Sequence, residues 1–239
     1  MQNLPFSYSI RRSTRTKNVR LVVTFNKVEV VAPLQVSESR ILRFVQSKQD
    51  WVLAALAKIA LKNQAAEIPP LIFTDGVAIP YQGYNYPLSM QTTNLKRIKI
   101  TFDKQFIAHI PQTLSAEEQP NALKNALIVW LKKQAKQQVE EIIKQHSPRY
   151  GLLPRSLTIK RQKSRWGSCG IHDDIHINWL LMSAPPSVLE YVVVHELCHL
   201  KVRNHSSIFW NLVAQHLPDY QKQRQWLKKH GAILMRNWQ

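Results

Sequence analysis

The sequence predicts an α+β fold in two parts: a small β-rich N-terminal module over residues 1–112, then a module over residues 113–239 built around a helix packed on a mixed sheet. Three patterns predict it. The first third alternates apolar and polar residues with the two-residue period of half-buried strands. A long run after Ser115 repeats apolar residues at helical spacing. Strand-like segments after Leu157 then lead through a Pro-Pro pair into a second apolar helix.

Taken in order, residues 19–23 and 27–31 flank a turn at 24–26 and stop at Pro33, the pattern of a hairpin. Ser37 stands where a helix N-cap belongs, and Ile41, Phe44, Val45, Trp51, Leu53, Leu56 and Ile59 recur at helical spacing until Pro69-Pro70. Asp75-Gly76, Gly83 and Pro87 mark turns, and 98–102 with 106–110 read as a second hairpin around Asp103-Lys104. Ser115 and Glu118 have capping-box spacing ahead of one long helix to about His146, broken by Pro148 and Gly151. Residues 157–161 alternate as a strand, 163–170 read as a turn-rich loop, and 174–182 as another strand. Pro185-Pro186 suits a helix start, and Ser187 with Glu190 gives a second capping-box spacing just before the helical stretch 191–200.

Composition narrows the function. With 239 residues, 44% of them hydrophobic, the chain has material for one substantial domain or two small ones, enough for a folded enzyme. Lys+Arg number 33 against 15 Asp+Glu, and the formal charge of +18 attracts polyanions, whether acidic substrates or nucleic acid. Two cysteines, Cys169 and Cys198, make no disulfide framework, and Met1-Gln2-Asn3-Leu4-Pro5 lacks the basic stretch and apolar core of a secretory leader. The most apolar run, 51–61, is interrupted by Lys58 and falls far short of the roughly 20 residues that span a bilayer. These features exclude secreted and membrane classes and predict a cytoplasmic protein with reduced thiols.

The chemistry concentrates at His195-Glu196-Leu197-Cys198-His199. On a helix, residues four apart share a face, so His195 and His199 direct ring nitrogens at one ion while Glu196 stands beside it to accept a proton from water. That is the zincin arrangement. A catalytic site needs a third protein ligand and a vacant position, because four protein ligands close a structural site. His205 is the best candidate. It follows His199 closely enough that the helix must end and the chain turn back, and Asn204 suits the left-handed conformation such a turn uses. The spacing is like that of metzincins, but Val202 stands at their glycine position and no Met-turn is evident, which argues against that clan. Cys198, one position round from His199, reads as a small packed hydrophobe.

Together, Lys163-Ser164-Arg165-Trp166-Gly167-Ser168-Cys169, Ile177-Asn178-Trp179, the helix around Tyr191-Val192-Val193-Val194-His195, Asn204-His205-Ser206 and Phe209-Trp210 resemble the YgjP-like metallopeptidase family. The resemblance is densest over residues 155–231, where Pro218-Asp219-Tyr220 and Trp226-Leu227 also fit. That family is related to the SprT and WLM groups of minimal zincins, some of which cleave proteins crosslinked to DNA. The resemblance implies a zincin-like metallopeptidase domain over 113–239 with a zinc-binding helix on a mixed sheet. It further implies Zn2+ held by His195, His199 and His205, Glu196 as general base, and a protein or peptide substrate.

Around this segment, Arg165 reads as a loop-fixing partner of an acid, or else as a holder of a substrate carbonyl or carboxylate. Trp166 and Trp179 read as packing residues. The strand 174–182 either lines a cleft for strand addition by a peptide or is interior. Tyr220, after Pro-Asp, reads as a helix-start anchor, with oxyanion stabilisation as its alternative. His172 and His176 have no partner motif for a second metal. A rival reading, a nucleic-acid-binding protein with a structural zinc, rests on Arg11, Arg12, Arg15, Lys17 and Arg20 with Lys132, Lys133 and Lys136, because clustered cations neutralise phosphates.

Overall fold

The computed structural model describes residues 4–24, 27–64 and 71–238, and the chain divides into two compact units, Met1–Ile68 and Pro69–Gln239. In the first unit, β1 (Ser9–Arg12), β2 (Arg20–Thr24) and β3 (Lys27–Ala32) form a sheet in the order β1-β3-β2. The expected hairpin is β2 with β3, antiparallel with Arg20 opposite Val31, while β1 joins the other edge of β3 in parallel. Most of its expected turn, and the Pro69-Pro70 stop, lie outside the described residues. β3 is central, and its Val30 and Ala32 close a small core with Ile41 and Val45.

The single helix expected after Ser37 is two, α1 (Glu38–Ser47) and α2 (Gln49–Gln64). Ser37 holds the N-cap position without a side-chain cap bond. The break has a local cause. Ser47 Oγ donates to the Phe44 carbonyl at 2.8 Å, and Lys48 leaves helical geometry at ψ 12°.

In the second unit, β4 (Ala78–Tyr81), β5 (Tyr84–Thr93), β6 (Lys99–Phe102) and β7 (Phe106–Pro111) form a sheet in the order β4-β5-β7-β6. Its two hairpins turn through left-handed residues, Gln82 and Gly83 in one and Lys104 in the other. α3 (Gln119–Tyr150) follows, starting from Glu118 rather than from a capping box, since Ser115 Oγ spends its hydrogen bond on the Glu118 carboxylate at 2.6 Å. It runs past Pro148 and ends on left-handed Gly151. Leu123, Leu127, Leu131, Ala135 and Val139 repeat every fourth residue on α3 and are fully buried; Trp130 beside them meets Tyr81 and Phe106 of the sheet. That stripe and the buried residues of β4 to β7 belong to one hydrophobic core. The sheet that the sequence pattern groups with residues 1–112 therefore shares one core with α3 and the elements after it, and the compact boundary falls between Ile68 and Pro69.

A second, mixed sheet has the order β8-β10-β9, from β8 (Ser156–Lys160), β9 (Gly167–Cys169) and β10 (Asp174–Asn178). Two expectations change here. The segment 163–170 is not wholly loop, because 167–169 pairs antiparallel with β10. The strand expected over 174–182 stops at Asn178, whose buried side chain accepts from the Leu180 N–H at 3.2 Å and donates to the Gln162 and Arg165 carbonyls at 3.0 Å each. Three bonds from one amide turn the chain into the 3-10 segment Trp179–Ser183. β10 is interior, so the edges of this sheet are β8 and β9. The chain then enters α4 (Pro186–Cys198), α5 (Ser207–His216) and α6 (Tyr220–Asn237). The fold is α+β, with mixed sheets and helices.

Candidate metal centre

α4 begins on prolines. Pro185 takes the N-cap position and Pro186 the first helical one, where a missing N–H leaves no bond unmade. The box expected from Ser187 and Glu190 does not form: Ser187 lies inside the first turn, and Glu190 bonds instead to His146 Nε2 at 3.1 Å. Val188, Leu189, Val192, Val193, Val194, Leu197 and Cys198 are all buried, which makes α4 a central helix and a rigid mount.

His195 and His199 lie one turn apart on this mount, ring centroids 4.9 Å from each other. Beyond Cys198 the backbone keeps turning, with the Lys201 and Val202 N–H groups both donating to the Cys198 carbonyl. Asn204 does not take the left-handed conformation expected of it, since the left-handed non-glycine residues are Gln82, Lys104 and Asp173 among those described. Its Oδ1 instead accepts from the Ser206 N–H at 3.3 Å, and this side-chain turn brings His205 back. His205 Nε2 lies 3.1 Å from the Nε2 of His195 and 3.1 Å from that of His199.

The geometry fits a tetrahedral cation. Ligands about 2.0–2.1 Å from zinc sit about 3.3 Å apart, close to the observed spacing. Chemistry points the same way. His199 Nδ1 donates to the Val202 carbonyl at 3.0 Å, which leaves its Nε2 as a bare lone pair facing the other rings. Burial, then the neighbouring imidazoles and Arg224, pushes the His195 pKa down to about 3, and burial also lowers that of His199, so neither ring need shed a proton before binding a cation. Among the described residues, no fourth His, Cys, Asp or Glu joins this group. Cys198 is fully buried, and burial raises its thiol to about 12, in keeping with a packed residue.

Glu196 is 6% exposed. Burial raises its carboxyl to about 7, opposed by the Arg165 charge and by a hydrogen bond from the Cys169 N–H. β9 makes room for it. A Cβ on Gly167 would stand 2.6 Å from Glu196 Oε1 and 2.7 Å from its Cγ, so only glycine admits the carboxylate here. Its turn-rich surroundings make this glycine look like loop in the sequence; a glycine inside a strand is the signal of close approach.

Aromatic rings pack the other side. Phe209, fully buried on α5, stacks on His199 at 4.4 Å and meets His195 and His205 edge-on at 4.9 Å. Trp210 stacks on His205 at 5.6 Å and on Tyr220 at 5.3 Å. Tyr220 is thus the first residue of α6 and a buried anchor, as its place after Pro-Asp predicts. Trp179 is buried against Trp238, and Trp166 packs over Gly231. Arg165 is exposed; its carbonyl accepts from the Asn178 side chain, and its charge acts on the Glu196 carboxyl without an ion pair among the described residues.

Three converging imidazoles, two of them from α4 and its C-cap and one from the turn after it, form a candidate metal site next to a buried carboxylate in the sequence. A family model described as "YgjP-like, metallopeptidase domain" matches residues 17–230, and the chain belongs to that family. Neither a curated protein nor a solved structure matches it.

Proposed function

We propose that the chain is a zinc-dependent peptidase acting on a protein or peptide substrate, with His195, His199 and His205 as the metal ligands and Glu196 as general base. One observation carries this reading: three imidazole nitrogens face one another with no fourth ligand-type side chain among the described residues, and Glu196, next to His195 on the same helix, is a buried carboxylate. Zinc bound by three protein ligands supplies a Lewis acid that polarises a carbonyl and acidifies water. Glu196 takes a proton from water as the water oxygen bonds to the carbonyl carbon, and returns it to the amide nitrogen as the C–N bond breaks. The Cys169 N–H orients that carboxylate, and Gly167 leaves it space.

β9 is the edge strand of its sheet that meets Glu196. The Trp166 carbonyl and the Gly170 N–H bond inward to β10 residues Asn178 and Asp174, so the alternate residues Gly167 and Cys169 face outward, beside Glu196. In this reading residues 113–239 carry the catalytic function and residues 1–112 support it. We place the protein in the cytoplasm; no described helix is long and apolar enough to cross a membrane. The nucleic-acid alternative has less behind it, because Arg11 pairs with Glu29, Arg12 donates to the Pro33 and Val36 carbonyls, and Lys136 pairs with Glu140.

Zinc content and peptide hydrolysis of the wild type and Glu196→Gln test the proposal. Retained zinc with lost turnover is expected; undiminished turnover removes Glu196 as the base.

A further inference from the structure

We propose that the groove flanked by Trp166 and α6 is a subsite for an acidic side chain of the polypeptide substrate, with Arg224 and Lys228 as its cationic wall; this rests on the peptidase reading. The groove encloses 520 Å3 and is lined by Trp166, Gln221, Arg224, Gln225, Leu227 and Lys228. Gln221, Arg224, Gln225 and Lys228 follow one another at helical spacing and share one face of α6. Arg224 and Lys228 are like charges one turn apart, which a helix by itself disfavours. Among the described residues neither is ion-paired, and no carboxylate lines the groove.

The groove is joined to the metal centre on both sides. Trp166 immediately precedes Gly167, the residue against which Glu196 lies. On α6, the Arg224 guanidinium stands 4.5 Å over Trp210, whose ring stacks 5.6 Å from His205. Those two legs keep the charge within the span of about three extended residues, at about 3.3 Å each, of the His205 ring. A guanidinium over an indole keeps its charge and its N–H donors, and a carboxylate accepts two of them. Nucleic-acid phosphate has the same charge, but a groove with an indole wall this close to the candidate ligands suits a side chain near the scissile bond.

Matched peptides with Glu or Gln at a single position, moved through three residues on each side of the scissile bond, test this. Turnover is measured with zinc-loaded protein, and binding by fluorescence anisotropy with zinc-loaded Glu196→Gln. At one position Glu should exceed Gln by about tenfold in kcat/KM and in affinity, the scale of a charge-assisted hydrogen bond. The exposed double variant Arg224→Glu/Lys228→Glu should reverse that preference toward Lys. A protein that cleaves peptides but treats Glu and Gln alike at every position overturns the subsite and leaves the peptidase reading standing. Tenfold better binding of a Glu peptide without cleavage supports the groove and overturns the peptidase reading, while absence of both overturns both. Tighter binding of a single-stranded oligonucleotide than of any Glu peptide, lost in the double variant, assigns the groove to phosphate and overturns the proposal.

Discussion

Gly167→Ala isolates the placement of Glu196 from every other feature of the site. The added methyl group would stand 2.6 Å from Glu196 Oε1, 2.7 Å from Cγ and 2.9 Å from Cδ. Nonbonded heavy atoms settle at about 3.5–4.0 Å, so the carboxylate must retreat by roughly 1 Å. The Gly167 backbone has an ordinary φ, and the whole perturbation is therefore this side-chain contact. Misplacing a proton-transfer group by about 1 Å costs about 10²-fold in rate. Overpacking costs about 1–3 kcal/mol of stability, a Tm drop of about 2–12 °C for a domain of this size. Zinc content should not change, because the three atoms nearest the new methyl group all belong to Glu196 and none to an imidazole. Gly170→Ala is the control: its Cβ would meet nothing nearer than the Asp174 carbonyl at 3.6 Å, an ordinary contact. Steady-state kcat, zinc by emission spectrometry and calorimetric Tm, measured on all three proteins, decide the matter. A zinc-replete Gly167→Ala protein with kcat within twofold of wild type would refute the reasoning.

Other consequences are separable. If zinc occupies the imidazole cluster at about a thousandfold over its Kd, chelation should remove about 4 kcal/mol and lower Tm by about 8–16 °C, reversed by zinc but not magnesium; a Tm indifferent to chelation removes the metal from the site. Asn178→Ala strands the Gln162 and Arg165 carbonyls and the Leu180 N–H, a cost of about 3 kcal/mol, and urea denaturation showing under 1 kcal/mol contradicts its role as the hinge after β10. Arg155 and then Ser156 hold the Asp174 carboxyl at about 2, below its ordinary 3.8. Because the folded value is depressed, this stabilisation is present above 3.8 and is lost as pH falls toward 2. In Arg155→Ala, the Asp174 midpoint followed by NMR should climb back toward 3.8; an unmoved midpoint discards the pairing.

The helix carrying His195 and His199 is legible in the sequence because helical periodicity and i,i+4 spacing are local properties. The approach of His205 is legible for the same reason, since only a short turn separates it from the helix. The turn itself is not what the sequence suggests. The residue type of Asn204 suits a left-handed φ, but it instead uses its side chain to accept from the Ser206 N–H. Capping boxes at Ser115 and Ser187 also fail, because a spacing rule does not reveal that Glu118 will bind the serine hydroxyl or that Glu190 will turn to His146. Hidden most deeply are contacts between distant segments. The Gly167 approach to Glu196 joins a strand to a helix, and the Asn178 side chain pulls in residues 162 and 165. Likewise, the strands of 78–111 alternate just as those of 9–32 do, and that alternation does not say that the former share a core with α3.

β9 is an edge strand, and an outward amide on an edge is where the sheets of separate molecules join into aggregates. Here that position is filled: the Glu196 carboxylate lies against Gly167 and accepts the Cys169 N–H. The residue placed for proton transfer thereby also acts as a guard on the sheet. The two ways of removing its charge should part company in solution. Glutamine keeps an acceptor of the same size and a covered edge, whereas alanine uncovers the outward backbone of Gly167 and Cys169, so Glu196→Ala should self-associate in light scattering while Glu196→Gln stays dispersed.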